Sequence, residues 1–188
     1  MIVGRAITQV RSRYYRLRHR RRATFGPRVF FAAPMKLHGR GQIVFGADVF
    51  VDNKSGVRND IYAAEGATVS VGDNTYLNGV TIWATQDVRL GKRCIVGGAW
   101  ISTTNFHGTG IDRSANVKEA AVTVGDNVWL ANHAAVLPGV TIGADSVVAF
   151  GTVIAHDVPP RVVIAGQVPR VVREIDHDSR QIDRQEAR

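Results

Sequence analysis

An aliphatic residue occupies every sixth position between residues 124 and 154 of this chain of 188 residues. The six positions are Val124, Leu130, Val136, Ile142, Val148 and Ile154. Four residues after each of them comes a small residue: Val128, Ala134, Val140, Ser146, Thr152 and Val158. A period of six fits neither an amphipathic helix nor an alternating strand, but it is typical of a β-solenoid. The spacing therefore predicts a three-sided prism whose interior is filled by the first residue of each sextet.

The repeat is irregular at its start and interrupted once. The step of six begins near Phe45 and resumes at Val71 and Leu77, whereas residues 103–121 carry no repeat. We expect this stretch to protrude as a loop, a place where rigid scaffolds often mount reacting groups. The predicted organisation is a basic arm at 1–26, a β-helix at 27–164 with its loop at 103–121, and a segment at 165–188 with a short helix and polar tail.

Basic residues are concentrated near the N-terminus. Residues 1–47 hold eleven of the 24 Lys and Arg residues and no Asp or Glu, leaving thirteen basic and sixteen acidic residues elsewhere. The rest of the chain is therefore acidic, and it contains no nucleic-acid recognition motif. Both features argue against nucleic acid as a partner. Residues 2–20 show a helical apolar stripe of Val3, Ile7, Val10, Tyr14 and Leu17. The stripe either caps the open end of the prism or lies on anionic lipid, as a peripheral membrane contact of residues 1–22.

The single cysteine, Cys94, excludes an internal disulfide and favours a cytoplasmic location. It follows Leu90 by four residues, the position of the small inward-facing residue. A buried structural thiol is therefore favoured over a nucleophile. The sequence has no run of eighteen apolar residues, so no segment is expected to span a membrane. Any membrane contact of a cytoplasmic protein of this kind is expected to be peripheral and at the inner face.

The sextets and the segments that follow them resemble the hexapeptide-repeat acyltransferases. Val-Gly-Asp-Asn-Val-Trp-Leu-Ala at 124–131 and Leu-Pro-Gly-Val-Thr-Ile-Gly at 137–143 are most similar to galactoside and maltose O-acetyltransferases. The basic arm looks more like exopolysaccharide-pathway members. The resemblance implies an all-β fold, a left-handed parallel β-helix (triangular solenoid) with an N-terminal helical arm and a short C-terminal helix. It also implies a homotrimer with active sites in the clefts between subunits.

The activity that the resemblance implies is acetyl transfer from acetyl-CoA, without a metal, to a hydroxyl of a saccharide in a polysaccharide or lipid-linked glycan precursor. His107, in Ser-Thr-Thr-Asn-Phe-His-Gly, matches the family's loop histidine and is expected to act as general base. Imidazole suits that role because its pKa in peptides is about 6.5. The positions that match the acetyl-CoA groove are Asn132, Phe150, Ala155, His156 and Arg173.

Further residues are predicted to assist the transfer. The acceptor is expected to contact Asn78, Asn105 and His133, and His133 is also the second candidate for the base. Asp112 or Glu119 is expected to orient the His107 imidazole, and Asn132 or a backbone N–H to stabilise the oxyanion. The three tryptophans either stack on sugar rings or pack between subunits: Trp83, Trp100 and Trp129.

Two alternative functions fit the same prism. A zinc hydro-lyase like the γ-type carbonic anhydrases needs three histidines around the metal. His107, His133 and His156 would supply them, but they are spaced 26 and 23 residues apart without a His-x₄-His pair. A non-catalytic solenoid that scaffolds envelope enzymes is the other alternative, and the histidine-bearing loop argues against it.

Overall fold

The computed structural model describes residues 2–166, with side chains from residue 9 onwards. In this part of the chain one helix, α1 (Ile2–Arg18), precedes nineteen short strands. The strands are β1 (Ala23–Phe25), β2 (Phe30–Phe31), β3 (Met35–Gly39), β4 (Gln42–Phe45), β5 (Phe50–Asp52), β6 (Asn59–Ala63), β7 (Thr68–Val71), β8 (Tyr76–Asn78), β9 (Thr81–Ala84), β10 (Val88–Leu90), β11 (Ile95–Val96), β12 (Trp100–Ser102), β13 (Val122–Val124), β14 (Trp129–Leu130), β15 (Ala135–Val136), β16 (Thr141–Ile142), β17 (Val147–Val148), β18 (Val153–Ile154) and β19 (Val163–Ile164). The short C-terminal helix and Arg173 lie outside the described residues.

Successive strands pass through three parallel sheets in turn, so each sheet collects every third strand. Sheet A contains β1, β4, β7, β10, β13 and β16, and sheet C contains β3, β6, β9, β12, β15 and β18. Sheet B contains β2, β5, β8, β11, β14, β17 and β19. Neighbouring strands pair in parallel, as in Val88↔Val122 and Ile101↔Val136. This is the three-sided prism that the sequence predicts.

The sextets fill the interior of the prism. All six aliphatic residues, and the six small residues that follow them, expose 3% of their surface or less. Burying one aliphatic side chain of this size contributes about 1.5–3 kcal/mol. The six-residue step therefore works because each side of the prism is one short strand plus one corner, and only one position in six is large and inward.

The prism begins earlier than the repeat predicts. β1 pairs in register with β4, with Ala23 opposite Ile43 and Phe25 opposite Phe45. The first coil thus starts ahead of the predicted boundary at residue 26. In these coils aromatic side chains fill the interior, and the Phe25 and Phe45 rings stack at 5.2 Å while Phe31 is fully buried. Larger side chains and longer strands hide the six-residue pattern there.

Helix α1 caps the open end of the prism. The Tyr15 ring stacks on Phe31 at 4.3 Å, and its hydroxyl donates to the Met35 carbonyl and accepts from the Met35 N–H. Ser12 Oγ accepts from the Phe31 N–H. Arg11 donates to the carbonyls of Phe31 and Ala32. The cap therefore closes the core and supplies hydrogen-bond partners to the first coil, which has no strand beneath it.

The face of α1 that forms the cap is not the apolar stripe that the capping alternative expected. The described part of the apolar stripe does not pack on the prism, because Val10, Tyr14 and Leu17 are 71%, 56% and 69% exposed. Polar side chains contact the prism instead, since the edge of the first coil presents backbone groups that need partners. In residues 2–166 no helix is long and apolar enough to cross a bilayer. The stripe is thus left as an exposed apolar surface.

Cys94 lies in the interior, as predicted. The thiol is 1% exposed, and Sγ lies 3.2 Å from the Gly125 carbonyl. Burial raises the pKa of this thiol. We expect Cys94 in the folded protein to resist a thiol-exchange dye at about pH 8 and to react fully after unfolding in guanidinium chloride. Rapid labelling of the folded protein would contradict this burial.

The same shift gives a pH dependence of stability. The folded thiol keeps its proton to a higher pH than the unfolded thiol does. The unfolded state therefore loses its proton first, and the free energy of unfolding falls as pH rises past about 8.5, the ordinary thiol value. We expect Cys94→Ala to remove this contribution in denaturation curves recorded across that range.

Candidate active site

The loop at 103–121 leaves sheet C after β12 and returns to sheet A at β13. Its two ends are held side by side by an antiparallel bridge between Thr104 and Glu119. The Ala120 N–H donates to the Thr103 carbonyl at 2.9 Å. Thr103 Oγ1 accepts from the N–H groups of Thr85 and Gln86 in the coil below. The loop is therefore closed at its base and fixed to the prism, as a mount for a reacting group requires.

His107 is exposed near the start of this loop. Its backbone N–H donates to the Asn105 carbonyl at 2.6 Å, and the Gly108 N–H donates to the Arg113 carbonyl at 2.8 Å. Together with Gly108, Thr109 and Arg113 it lines an open pocket. Phe106 adopts a left-handed backbone with φ of 60°, which is uncommon for a bulky residue. The chain therefore turns sharply just before the histidine.

One of the two loop carboxylates predicted to orient His107 has partners elsewhere in the loop. Asp112 Oδ1 accepts from the N–H of Ser114 at 2.9 Å and from its Oγ at 2.6 Å. Glu119 contributes its backbone to the bridge with Thr104 at the base of the loop. Orientation of the imidazole by Asp112 or Glu119 stays a prediction.

The predicted site residues that the structure describes lie at the two corners that flank sheet C. At the corner between sheets B and C, Asn132 and His133 precede β15, and Phe150 precedes β18 one coil later. The His133 and Phe150 rings are 5.2 Å apart. At the opposite corner, Ala155 and His156 follow β18, two coils beyond the strand from which the His107 loop leaves. Sheet C is thus the face that the predicted residues surround.

The side-chain oxygens of three predicted asparagines already hold turns of the backbone. Asn132 Oδ1 accepts from the Gly98 N–H at 3.1 Å. Asn78 Oδ1 accepts from Ser55, and Asn105 Oδ1 accepts from Lys118. Contacts of these residues with a substrate would therefore have to come from their Nδ2 groups, which are donors.

Sequence reasoning missed a row of rings on the outer face of sheet C. Tyr62 and Trp83 stack at 4.3 Å, and Phe106 from the loop is 5.6 Å from Trp83. His38 lies 5.2 Å from Tyr62 at the other end. We call His38, Tyr62, Trp83 and Phe106 the aromatic row. Its signal in the sequence is weak, because the steps from His38 to Tyr62 and from Tyr62 to Trp83 are 24 and 21 residues and fit no fixed repeat.

The described part of the chain contains no cluster of ligands that would support the zinc alternative. Within residues 2–166, no group of three or more His, Cys, Asp and Glu side chains is placed to hold a metal ion. His107 and His133 belong to different corners of the prism.

Comparison with known proteins identifies a matching repeat and solved structures of similar fold. Residues 121–156 match the family model of the bacterial transferase hexapeptide, six repeats. The polysialic acid O-acetyltransferase OatWY has a similar fold, with a TM-score of 0.64 at 21% identity over 87% of this chain and 82% of that one. A hexapeptide-repeat acetyltransferase from Vibrio cholerae, solved with acetyl coenzyme A, superposes with a TM-score of 0.50 at 22% identity, covering 76% and 73% of the two chains. The fold is the predicted left-handed parallel β-helix.

One relative is similar in sequence over most of the chain. Galactoside O-acetyltransferase from Escherichia coli K12 is 29% identical over 146 residues, which cover 76% of this chain and 72% of that enzyme. The chain is thus similar to an O-acetyltransferase over most of its length, and it carries the hexapeptide repeat of bacterial transferases at 121–156.

Proposed function

We propose that this protein transfers the acetyl group of acetyl-CoA to a hydroxyl of a saccharide, with His107 as the general base. The observation that carries the proposal is the anchored loop that presents His107 beside sheet C of a hexapeptide prism. Three relatives support the chemistry: one is named for galactosides, one for polysialic acid, and one was solved with acetyl coenzyme A. Together these names support a saccharide acceptor and an acetyl thioester donor.

The proposed reaction is a direct transfer. His107 takes the proton of the acceptor hydroxyl while the hydroxyl oxygen forms a bond to the thioester carbonyl carbon. The tetrahedral intermediate carries a negative oxygen, which the Nδ2 group of Asn132 or a backbone N–H stabilises. When the carbon–sulfur bond breaks, the imidazolium returns its proton to the coenzyme A thiolate. Holding both substrates against one rigid face supplies much of the rate.

The donor is proposed to lie along the coils after the loop. Asn132, Phe150, Ala155, His156 and Arg173 would contact acetyl-CoA there, by their match to the family's groove. Phe150 is 70% exposed, so its ring is available to an apolar part of the coenzyme. The family usually has a threonine and a lysine where this chain has Ala155 and His156. We therefore expect a weaker charge contact with a phosphate at this point, because the ammonium group of a lysine is missing.

We propose a homotrimer because sheet B has an apolar outer column. Its members face outward in register on seven successive strands: Phe30, Phe50, Tyr76, Ile95, Trp129, Val147 and Val163. Ile95, Trp129 and Val163 are 49%, 48% and 74% exposed in the single chain. A continuous apolar surface of this kind is typical of a subunit contact. With sheet B at the contact, sheet C would face the cleft between subunits.

The proposal is tested by binding and turnover. Isothermal titration should detect acetyl-CoA binding, and thiol release should require a saccharide from a panel of galactosides, sialic acid oligomers, nucleotide sugars and lipid-linked saccharides. Failure to bind acetyl-CoA would contradict the proposal and favour the scaffold alternative. Light scattering should give the mass of a trimer, and a monomer with full activity would contradict the shared cleft.

We propose a cytoplasmic location, which the free, buried Cys94 supports.

We also propose that α1 touches an anionic membrane surface. Its exposed stripe of Val10, Tyr14 and Leu17 is flanked by exposed arginines, including Arg13 and Arg18, the combination typical of interfacial helices. The opposite face of the helix is used by the cap. A lipid-linked acceptor would then be concentrated near the enzyme.

Vesicle binding tests the stripe without disturbing the cap. Deleting residues 1–22 would remove Tyr15 and Ser12 from the prism, so point variants are preferable. We expect the double variant Val10→Asp, Leu17→Asp to lose co-sedimentation with vesicles rich in phosphatidylglycerol, about tenfold or more, while keeping its melting temperature. The matched control is Ile111→Asp, an exposed apolar residue of the loop. Equal binding to neutral and anionic vesicles, or unchanged binding of the double variant, would contradict the membrane contact.

A further inference from the structure

The outer face of sheet C has two halves separated by the loop. Strands β15 and β18, after the loop, present the small residues Ala135 and Val153 outward. Before the loop, β3, β6 and β9 present His38, Tyr62 and Trp83, which are in register across three coils. Within the described residues, the predicted contacts of acetyl-CoA lie in coils after the loop. The half before the loop therefore has an outer surface that the donor does not use.

The aromatic row is continuous from this half to the loop. The His38–Tyr62, Tyr62–Trp83 and Trp83–Phe106 centroids are 5.2, 4.3 and 5.6 Å apart. Its last member, Phe106, is 42% exposed and directly precedes His107 in the chain. The left-handed backbone of Phe106 brings the ring onto Trp83. The row thus ends beside the proposed catalytic base.

Fixed polar groups accompany the row. Asp60 lies next to it on β6, and its carboxylate is 2.6 Å from His38 Nε2 and 3.5 Å from Lys36 Nζ. Thr81 occupies the equivalent outward position on β9, opposite Asp60. A surface that places half-buried rings beside carboxylate, ammonium and hydroxyl groups offers both of the contacts that a sugar makes, apolar ring edges for its C–H groups and hydrogen bonds for its hydroxyls.

We propose that the aromatic row is an extended acceptor subsite that binds several consecutive sugar rings of one saccharide chain, with the acetylated ring at Phe106 and the rest of the chain running toward His38. Neighbouring strands are about 4.8 Å apart. This spacing is similar to the length of one pyranose unit in an extended glycan, so each coil can receive one ring. The inference rests on the proposed function for its catalytic end. It adds that the preferred acceptor is an oligomer or polymer and not a single sugar.

Acceptor length is the variable that tests the row. Two series are used, galactoside oligomers as neutral chains and sialic acid oligomers as acidic chains, each from one to eight units. We expect kcat/KM to rise by tenfold or more with length in one series and to level off at about four units, the number of rings in the row. Tyr62→Ala should abolish most of this gain. The matched control is Val44→Ala, an exposed outward residue of the same coil on sheet A, which should keep the gain.

Binding without catalysis separates this inference from the proposed function. Isothermal titration of each series in the absence of acetyl-CoA should show the same dependence on length, and Tyr62→Ala should weaken the longest chain about tenfold. If affinity depends on length but no acetyl group is transferred, the row stands and the proposed function fails. If acetyl is transferred equally well to all lengths, the function stands and the row is overturned. A monomeric Tyr62→Ala variant would also overturn it, because the row would then be a subunit contact.

Discussion

Replacing His107 by alanine should lower kcat by about 10²–10⁴-fold, the usual contribution of a general base. The imidazole projects from the loop, whereas the predicted acetyl-CoA contacts such as Asn132 and Phe150 belong to the prism. The variant should therefore bind acetyl-CoA normally and keep its oligomeric state and melting temperature. The measurement is steady-state thiol release with the best acceptor, together with isothermal titration of the donor.

His133→Ala is the informative companion. His133 is exposed at the corner between sheets B and C, and its ring contacts Phe150. If His107 is the base, His133→Ala should raise the KM for a substrate and leave kcat within a few-fold, because it removes binding and not proton transfer. The opposite behaviour would be near-normal turnover in His107→Ala and lost turnover in His133→Ala. That result would identify His133, on the wall of the prism, as the general base.

The regular part of this fold is predictable because its repeat and its core coincide. From Val124 to Ile154 each strand is two or three residues long and each corner has the same length, so one inward position recurs every six residues. The interruption at 103–121 then stands out, and His107 with it. In the first coils Phe31 and Phe45 take the inward positions on strands of unequal length. The period is lost there although the architecture is the same.

The arm shows why hydrophobic periodicity alone could not identify the face that forms the cap. Val10, Tyr14 and Leu17 form the obvious stripe, yet the prism's first coil needs donors and acceptors as much as apolar cover. Tyr15 and Ser12 provide both. The unpaired strand edge of the first coil needs hydrogen-bond partners. A helical pattern of apolar residues does not reveal this requirement, because it arises elsewhere in the chain.

The aromatic row was out of reach of the sequence for a topological reason. His38 and Tyr62 become neighbours only because the intervening coil is longer than the regular eighteen residues of three sextets, here 24. Asp60, which holds His38, becomes visible as its partner only once the register of β3 and β6 is known. Residues that share a face across coils of variable length need the coordinates.

A column of glycines carries the largest expected effect on folding. At the corner after each strand of sheet A the chain places one glycine, and these stack along the prism: Gly26, Gly46, Gly72, Gly91, Gly125 and Gly143. A Cβ atom on Gly91 would lie 2.5 Å from both the carbonyl carbon and the oxygen of Gly125, and 2.6 Å from the Asp126 nitrogen. All three are backbone atoms of the next coil, so no side chain can move aside.

Gly91→Ala should therefore destabilise the prism by about 3 kcal/mol or more, among the larger effects of a single substitution. The Gly91 N–H donates to the Val124 carbonyl at 2.8 Å, and coils in a parallel ladder are held about 4.8 Å apart. The added methyl can be accommodated only by separating these coils and losing such hydrogen bonds. For a chain of this size the loss corresponds to a melting temperature lowered by about 6–12 °C, measured at equal protein concentration. The control is Gly110→Ala, where the same methyl meets nothing within 4 Å, so its melting temperature should be unchanged. Equal melting temperatures for the two variants would show that the glycine column is not what sets the corner of the coil.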